Sequence, residues 1–135
     1  MTWTCPTCGR EFAKENQWHS CGKYELTDHF VGRSPEFVAL YHEIEQVLTS
    51  CGECRVEPAK TAILVKRRVT FVAVKMRKSY VGLGIRLLRE LSADRVERVF
   101  QMSPSVFENR FKLHSISDLD QEMKEWLCEA WDAAE

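Results

Sequence analysis

The segment YVGLGIRLL, residues 80–88, alternates between apolar and other side chains. Its apolar set is Val81, Leu83, Ile85 and Leu87, and its other set is Tyr80, Gly82, Gly84 and Arg86. Because successive side chains of a β-strand point to opposite faces of a sheet, the pattern predicts a strand with one apolar face. The two glycines predict a shallow depression on the other face, where a ligand or a backbone could approach.

A second segment, VFENRFKLH at residues 106–114, alternates in the same way. One face would carry Phe107, Asn109, Phe111 and Leu113, and the opposite face Val106, Glu108, Arg110, Lys112 and His114. Each of the two predicted strands therefore has one apolar face and one polar, mostly basic face. If helices cover the apolar face, the other face is an open basic surface.

Three further segments are rich in β-branched and aromatic residues: TAILVK (61–66), VTFVAVKM (69–76) and RVFQM (98–102). Short polar breaks separate the segments, including residues 92–94 and 103–105. Short breaks suit antiparallel hairpins better than parallel crossovers, so an antiparallel sheet of about five strands is predicted.

Two helices complete the pattern. Ser34 is a plausible cap for a helix that starts at Pro35 and ends near Cys51 and Gly52. The last segment, residues 117–135, has apolar residues at helical spacing, and Ser117 or Asp118 can cap it. The predicted fold class is α+β with two layers: a small N-terminal zinc knuckle, a helix, the sheet and a C-terminal helix.

The composition is that of a globular protein. The chain has 135 residues, of which 44% are hydrophobic. No apolar run approaches the roughly 18–20 residues of a membrane helix, and the N-terminus lacks the pattern of a secretory signal. We therefore expect a cytoplasmic protein that does not enter a membrane, in which closely spaced cysteines hold metal more often than disulfides.

Three cysteines and a histidine lie between residues 5 and 21. Cys5 and Cys8 form a CPTCG motif, and His19 and Cys21 follow after ten intervening residues. Four such ligands in this order suit one tetrahedral structural zinc ion, and they leave no coordination position open for catalysis. We expect a zinc knuckle at residues 1–30 and an α+β domain at residues 31–135.

The other cysteines are less informative. Cys51 and Cys54 form a second CxxC motif, which could be a redox pair or half of another metal site. The alternative is that they are incidental cysteines at a helix end, and this interpretation is favoured because no second ligand pair is evident nearby. Cys128 lies on the last helix and is expected to be simply packed against its neighbours.

Charge is segregated along the chain. Residues 58–112 carry thirteen basic and four acidic groups, whereas residues 113–135 carry one basic and seven acidic groups. The basic sheet face could bind an anion or nucleic acid, or it could be a solvated face that balances the acidic helices. The candidate binding residues are Lys60, Arg68, Tyr80, Arg86, Arg98, Arg110, Lys112 and His114.

Several stretches together resemble bacterial proteins of the family called domain of unknown function 5655. They are WTCPTCGREFAKENQWHSCGKYELTDHFVG, VEPAKTAI, RRVTFVAVKMRK and SISDLDQEMKEWLCEAW, and the resemblance extends over nearly all of the chain. The resemblance implies a module rather than a complete pathway enzyme. It also supports zinc ligation by Cys5, Cys8, His19 and Cys21.

We therefore expect a non-enzymatic binding module whose basic sheet face binds an anionic partner, with nucleic acid as one candidate. One alternative is an enzyme acting on a small anionic substrate in a pocket around Lys60, Arg68, Tyr80 and His114. Another is a protein-interaction adaptor that uses the last helix or the zinc module, which a large exposed apolar patch would favour.

Overall fold

The structure is a computed structural model, and it describes residues 2–4, 11–14, 25–92 and 94–134. Near the N-terminus, strands β1 (Trp3–Thr4) and β2 (Glu11–Phe12) pair antiparallel. The other described residues contain two α-helices, two short 3-10 helices and one larger sheet.

The larger sheet has six antiparallel strands, one more than predicted. They are β3 (Arg55–Pro58), β4 (Ile63–Lys66), β5 (Thr70–Met76), β6 (Val81–Leu87), β7 (Arg98–Ser103) and β8 (Val106–Leu113). Their order across the sheet is β3-β4-β5-β6-β8-β7. The additional strand is β3, which is four residues long, lies at the edge and ends in a proline. Proline is tolerated in an edge strand, but its presence in a sequence argues against a strand, so β3 was not predicted.

β6 and β7 are not neighbours, because β8 lies between them. The prediction that the break at residues 92–94 joins a hairpin is therefore wrong, and residues 88–97 form a longer connection. The buried side chain of Asn109 holds this connection. Its Oδ1 accepts a hydrogen bond from the Leu91 amide at 2.8 Å, and its Nδ2 donates to the Arg89 carbonyl at 3.2 Å.

The helices are α1 (Pro35–Cys51) and α2 (Gln121–Ala133), and the 3-10 helices span Leu26–Phe30 and Ile116–Asp118. Ser34 caps α1 as predicted: its Oγ accepts from the Glu36 amide at 3.2 Å. The cap of α2 is Asp120, which accepts from the Met123 amide at 3.0 Å, rather than Ser117 or Asp118. Asp118 belongs to the preceding 3-10 helix and accepts from the His114 amide.

Both helices pack on one face of the sheet, so the α+β class is confirmed. α2 contacts β5 and β6, and α1 contacts α2 and β6. The core contains the apolar set of β6 predicted from alternation, together with Phe111 and Leu113 of β8, and Phe111 stacks on Trp126 of α2 with ring centroids 5.4 Å apart. Among the described residues, neither helix combines the length and apolar character needed to cross a membrane.

Candidate anion-binding site

The face of the sheet opposite the helices is concave. It carries a cavity of about 410 Å³ that is open to solvent, which we call the sheet-face cavity. Strands β4 to β8 all contribute to its wall. The lining residues are Ala62, Leu64, Ala73, Lys75, Arg77, Tyr80, Gly82, Leu83, Gly84, Arg86, Glu97, Arg98, Met102, Glu108, Arg110, Phe111 and Lys112.

Two glycines of β6 create the depression. In the cross-strand register Gly82 lies between Lys75 of β5 and Lys112 of β8. Gly84 lies between Ala73 of β5 and Arg110 of β8. Because Gly82 has no side chain, the flanking side chains surround an open space above its backbone, whereas the Glu108 carboxyl group occupies the space above Gly84.

Positive charge dominates the wall. Six lining residues are cationic (Lys75, Arg77, Arg86, Arg98, Arg110 and Lys112) and two are acidic (Glu97 and Glu108), which gives a net charge of +4. A concave surface lined by one sign of charge concentrates its field, so it attracts anions more strongly than a flat surface with the same charges.

Glu108 is the buried member of the charged set, with 3% of its surface exposed. Its Oε2 lies 2.7 Å from Arg110 Nε, and its Oε1 lies 3.3 Å from Arg86 Nε. The carboxyl group rests against Gly84, where an added Cβ would lie 3.1 Å from Glu108 Cδ. Glu108 therefore holds both guanidinium groups in place at one end of the cavity.

Aromatic rings also contact cations of the site, including Arg110. The Arg110 guanidinium lies 4.0 Å from the centre of the Phe100 ring, and Arg98 lies 5.6 Å from the same ring. The Lys112 ammonium lies 4.9 Å from the centre of the Tyr80 ring. These cation–π contacts orient the charged groups without neutralising them.

The cations differ in their carboxylate partners. Lys112 pairs with Glu97 at 3.1 Å, and both side chains are nearly half exposed. Among the described residues, Lys75 and Arg77 have no carboxylate within ion-pair distance. The end of the cavity around Gly82 therefore has the larger share of unpaired positive charge.

The family called Domain of unknown function (DUF5655) matches residues 26–134, which is most of the chain. The chain belongs to the DUF5655 family. The match starts at Leu26, so it does not extend over the cysteine cluster at residues 5–21 as the sequence resemblance implied. A comparison of this DUF5655 protein with curated proteins found no match, and neither did one with solved structures.

The cavity of this DUF5655 domain brings together five of the eight predicted binding residues: Tyr80, Arg86, Arg98, Arg110 and Lys112. Lys60, Arg68 and His114 are exposed and do not line it. Of the four residues of the alternative pocket, only Tyr80 lines this cavity. Arg68 follows β4 in a turn at the opposite end of the sheet from the turn that contains Tyr80.

Sequence reasoning missed Lys75, Arg77, Glu97 and Glu108 as cavity residues. A signal for Lys75 was present, because Val72, Val74 and Met76 alternate with Ala73 and Lys75 in β5. Glu108 was correctly assigned to the basic face, but its contact with Arg86 depends on the pairing of β6 with β8, which a single strand does not reveal.

The four predicted zinc ligands, Cys5, Cys8, His19 and Cys21, lie outside the described residues. Within residues 2–4, 11–14, 25–92 and 94–134, no group of three or more His, Cys, Asp or Glu side chains is arranged to hold a metal ion. This finding bears on the Cys51–Cys54 motif, which does not form half of a metal site within that part of the chain.

A disulfide joins Cys51, at the end of α1, to Cys128 of α2. The expectations that Cys51 is incidental and that Cys128 is only packed are both wrong, because the two helices lie side by side and place these Cα atoms 5.3 Å apart. Cys54 keeps a free thiol. Burial, together with the nearby Glu45 carboxylate, raises the pKa of that thiol.

The large apolar side chains that are exposed in the described part of the chain are Val31, Val69, Leu88, Met102 and Ile116. Three of them lie in different connections, one in the edge strand β7 and one in the second 3-10 helix. None belongs to α2, so the last helix presents no apolar patch that would support its use as an adaptor surface.

Proposed function

We propose that this DUF5655 domain is a non-enzymatic binding module that holds an anionic partner in the sheet-face cavity. The observation that carries the proposal is the excess of cations around a floor of two glycines. The cavity volume of about 410 Å³ falls in the range of about 300–1,000 Å³ that is typical of small-molecule sites.

The contacts of the buried Glu108 carboxylate with two arginines favour binding over catalysis. A general base must reach the proton that it abstracts, but both oxygens of Glu108 are engaged by arginine side chains. Glu108 therefore acts as a positioning residue for Arg86 and Arg110, both of which line the cavity.

Single-stranded nucleic acid is a second candidate partner. The observation that favours it is the placement of the Tyr80 and Phe100 rings beside cations of the site. Proteins that bind single strands combine positively charged grooves with aromatic rings on which bases stack.

The proposal is tested by titrating the full chain with inorganic pyrophosphate and with a fluorescein-labelled 12-nucleotide single-stranded DNA, each at about 50 and 200 mM salt. Binding in the cavity predicts that affinity falls with salt, because screening weakens contacts between cations and phosphates. Lys75→Gln should weaken binding by about tenfold, since a hydrogen bond to a charged group contributes about 1.5–3 kcal/mol.

The matched control is Lys60→Gln, which removes the same charge from an exposed lysine outside the cavity. It should leave the affinity within about twofold of the parent, since most exposed charges contribute little. Equal losses in the two variants would show that net charge alone attracts the anion. The absence of binding to both probes would refute the proposed function.

We also propose that Cys5, Cys8, His19 and Cys21 hold one structural zinc ion. The support is the spacing of the ligands in the sequence. Metal analysis of the purified protein should find one equivalent of zinc, and Cys21→Ser should reduce it. Full retention of zinc in that variant, or its absence from the parent, would refute the assignment.

A further inference from the structure

The sheet-face cavity is polarised along β6, and this polarity defines a ligand class. At the Gly82 end, Lys75 and Lys112 flank the glycine, and Arg77 lies nearby. At the other end, Arg86 and Arg110 are already paired with Glu108. An incoming anionic group therefore meets its strongest uncompensated field at the Gly82 end.

The chemistry of this end suits a phosphate group. Two lysines and one arginine line this end, and a phosphate monoester has three terminal oxygens that can accept hydrogen bonds from such cations. Lysine ammonium groups bind phosphate as point charges and do not require the two-oxygen geometry of a carboxylate.

Glu97 occupies the position of a replaceable counter-ion. Its carboxylate lies 3.1 Å from the Lys112 ammonium, and the side chains are 47% and 45% exposed. Exposed pairs of this kind contribute little to stability, so a phosphate can displace Glu97 from Lys112 at little cost. The buried pairs of Glu108 with its arginines are not replaceable in this way.

The middle of the cavity has a different character. Gly82 leaves the backbone of β6 open, whereas the Glu108 carboxyl group covers Gly84. The side toward β4 and β5 is apolar, formed by Ala62, Leu64 and Ala73. A flat ring can lie over Gly82 and contact these apolar side chains. A bulky or strongly branched group would not reach the floor.

We infer that the ligand of this cavity is a small phosphate monoester that carries a flat ring. Its phosphate lies between Lys75, Arg77 and Lys112, and its ring lies over Gly82 and against Ala73 and Leu64, beside the Glu108 carboxyl group that covers Gly84. The inference rests on the proposed function and adds the chemical class and orientation of the ligand. A cavity of about 410 Å³ holds one such molecule but not several nucleotides of a polymer.

The experiment is a calorimetric titration of the full chain with four probes: inorganic phosphate, ribose 5-phosphate, adenosine 5′-monophosphate and adenosine. Adenosine 5′-monophosphate should bind at least about tenfold more tightly than the two phosphates without a ring, which corresponds to about 1.4 kcal/mol. Adenosine should bind more weakly than adenosine 5′-monophosphate, because it lacks the phosphate.

Two variants separate the ring from the phosphate. Gly82→Ala adds a methyl group to the floor, and its Cβ would have ordinary contacts of 3.6 Å with Lys75 and Tyr80, so the fold can accommodate it. It should weaken the binding of adenosine 5′-monophosphate by about tenfold and leave the affinity for inorganic phosphate within about twofold of the parent. Glu97→Gln should strengthen both by about two- to fivefold, because it removes the competing carboxylate.

Equal affinities for adenosine 5′-monophosphate and ribose 5-phosphate would overturn the inference and leave the proposed function intact. The same conclusion would follow if Gly82→Ala bound adenosine 5′-monophosphate as tightly as the parent. If a 12-nucleotide single-stranded DNA bound more tightly per site than adenosine 5′-monophosphate, the inferred ligand class would be wrong, because the ligand would be a polymer and not a small molecule. Failure of every phosphate probe would overturn the inference and the proposed function together.

Discussion

Glu108 illustrates how one buried carboxylate can shape a cationic site. Its removal from water is costly, and the cost is offset by two arginines that contact different oxygens. The contact of its carboxyl group with Gly84 means that a side chain at that position would press on Glu108. The glycine, the glutamate and the two arginines therefore form one unit, in which a change at one position disturbs the others.

Gly52 is a second position at which the packing leaves no room for a side chain. It follows α1, and the Trp131 indole packs directly on its Cα. Trp131 is held there by a hydrogen bond from its Nε1 to the Glu53 carbonyl at 3.0 Å. The Arg67 guanidinium covers the ring at 3.7 Å from its centre.

We predict that Gly52→Ala destabilises the fold by about 2–3 kcal/mol, because overpacking of a filled site costs about 1–3 kcal/mol. The added Cβ would lie 2.1 Å from Trp131 Cζ2, so the indole must move and lose its contacts. Urea denaturation measures the change. Gly32→Ala is the control: its φ is 72°, but nothing lies within 4 Å of the added Cβ. Equal losses in the two variants would attribute the effect to backbone strain instead of crowding.

At the scale of elements, the Cys51–Cys128 disulfide ties α1 to α2. The two cysteines are 77 residues apart, so the bond closes a loop that contains the entire six-stranded sheet. Closing a long loop restricts the unfolded chain, and this is one accepted source of the stability that a disulfide contributes.

We predict that the Cys51→Ser, Cys128→Ser double variant loses about 2–4 kcal/mol of unfolding free energy, the typical effect of a disulfide. Urea denaturation of the parent under oxidising conditions provides the comparison. Alkylation without reductant, followed by mass spectrometry, should modify Cys54 and leave Cys51 and Cys128 unmodified. Alkylation of all three in the native parent would contradict the pairing.

The connection between β6 and β7 is attached to α2 by ion pairs. Arg89 binds Glu129 through two hydrogen bonds of 2.8 and 2.9 Å. Arg95 binds Asp120 through two hydrogen bonds of similar length. The sheet therefore contacts α2 through its apolar face and also through this polar connection.

At the scale of the whole molecule, these pairs predict sensitivity to acid. The hydrogen bond from Arg95 holds the pKa of Asp120 below its usual value, and that from Arg89 does the same for Glu129. Because both carboxylates have a lower pKa in the folded chain, their contribution is present above the unfolded-state pKa and is lost as the pH falls. We predict that the unfolding free energy declines between about pH 5 and pH 3.

The Arg89→Gln, Arg95→Gln double variant should show a shallower decline, since its carboxylates have more nearly equal pKa values in the folded and unfolded states. Urea denaturation at several pH values measures both curves. Parallel curves for the parent and the variant would show that other groups cause the acid sensitivity.

Much of the sheet was predictable because burial of one face imposes a period of two on a strand. The alternation in residues 80–88 and 106–114 identified β6 and β8 and assigned their side chains to the correct faces. β3 was missed because four residues ending in Pro58 are too short to show a period. The position of β8 between β6 and β7 was also missed, since periodicity defines the faces of a strand but not its neighbours.

The cavity was predictable in part for the same reason. Alternation placed Arg86, Arg110 and Lys112 on the open face, and the two glycines indicated a depression. It could not show that Glu108 meets Arg86, because that contact requires the strand register. The disulfide was not predictable either, since Cys51 and Cys128 meet only after both helices pack on the sheet.

The insertion of β8 between β6 and β7 has a consequence for synthesis on the ribosome. A chain made from its N-terminus completes β7 before β8 exists, so β7 leaves the ribosome without the neighbour that it pairs with. The edge of β6 likewise remains unpaired until β8 is made, and the apolar face of β5 and β6 remains uncovered by α2 until that helix, which follows all six strands, is made. The nascent domain therefore reaches its closed state only after α2 has left the exit tunnel.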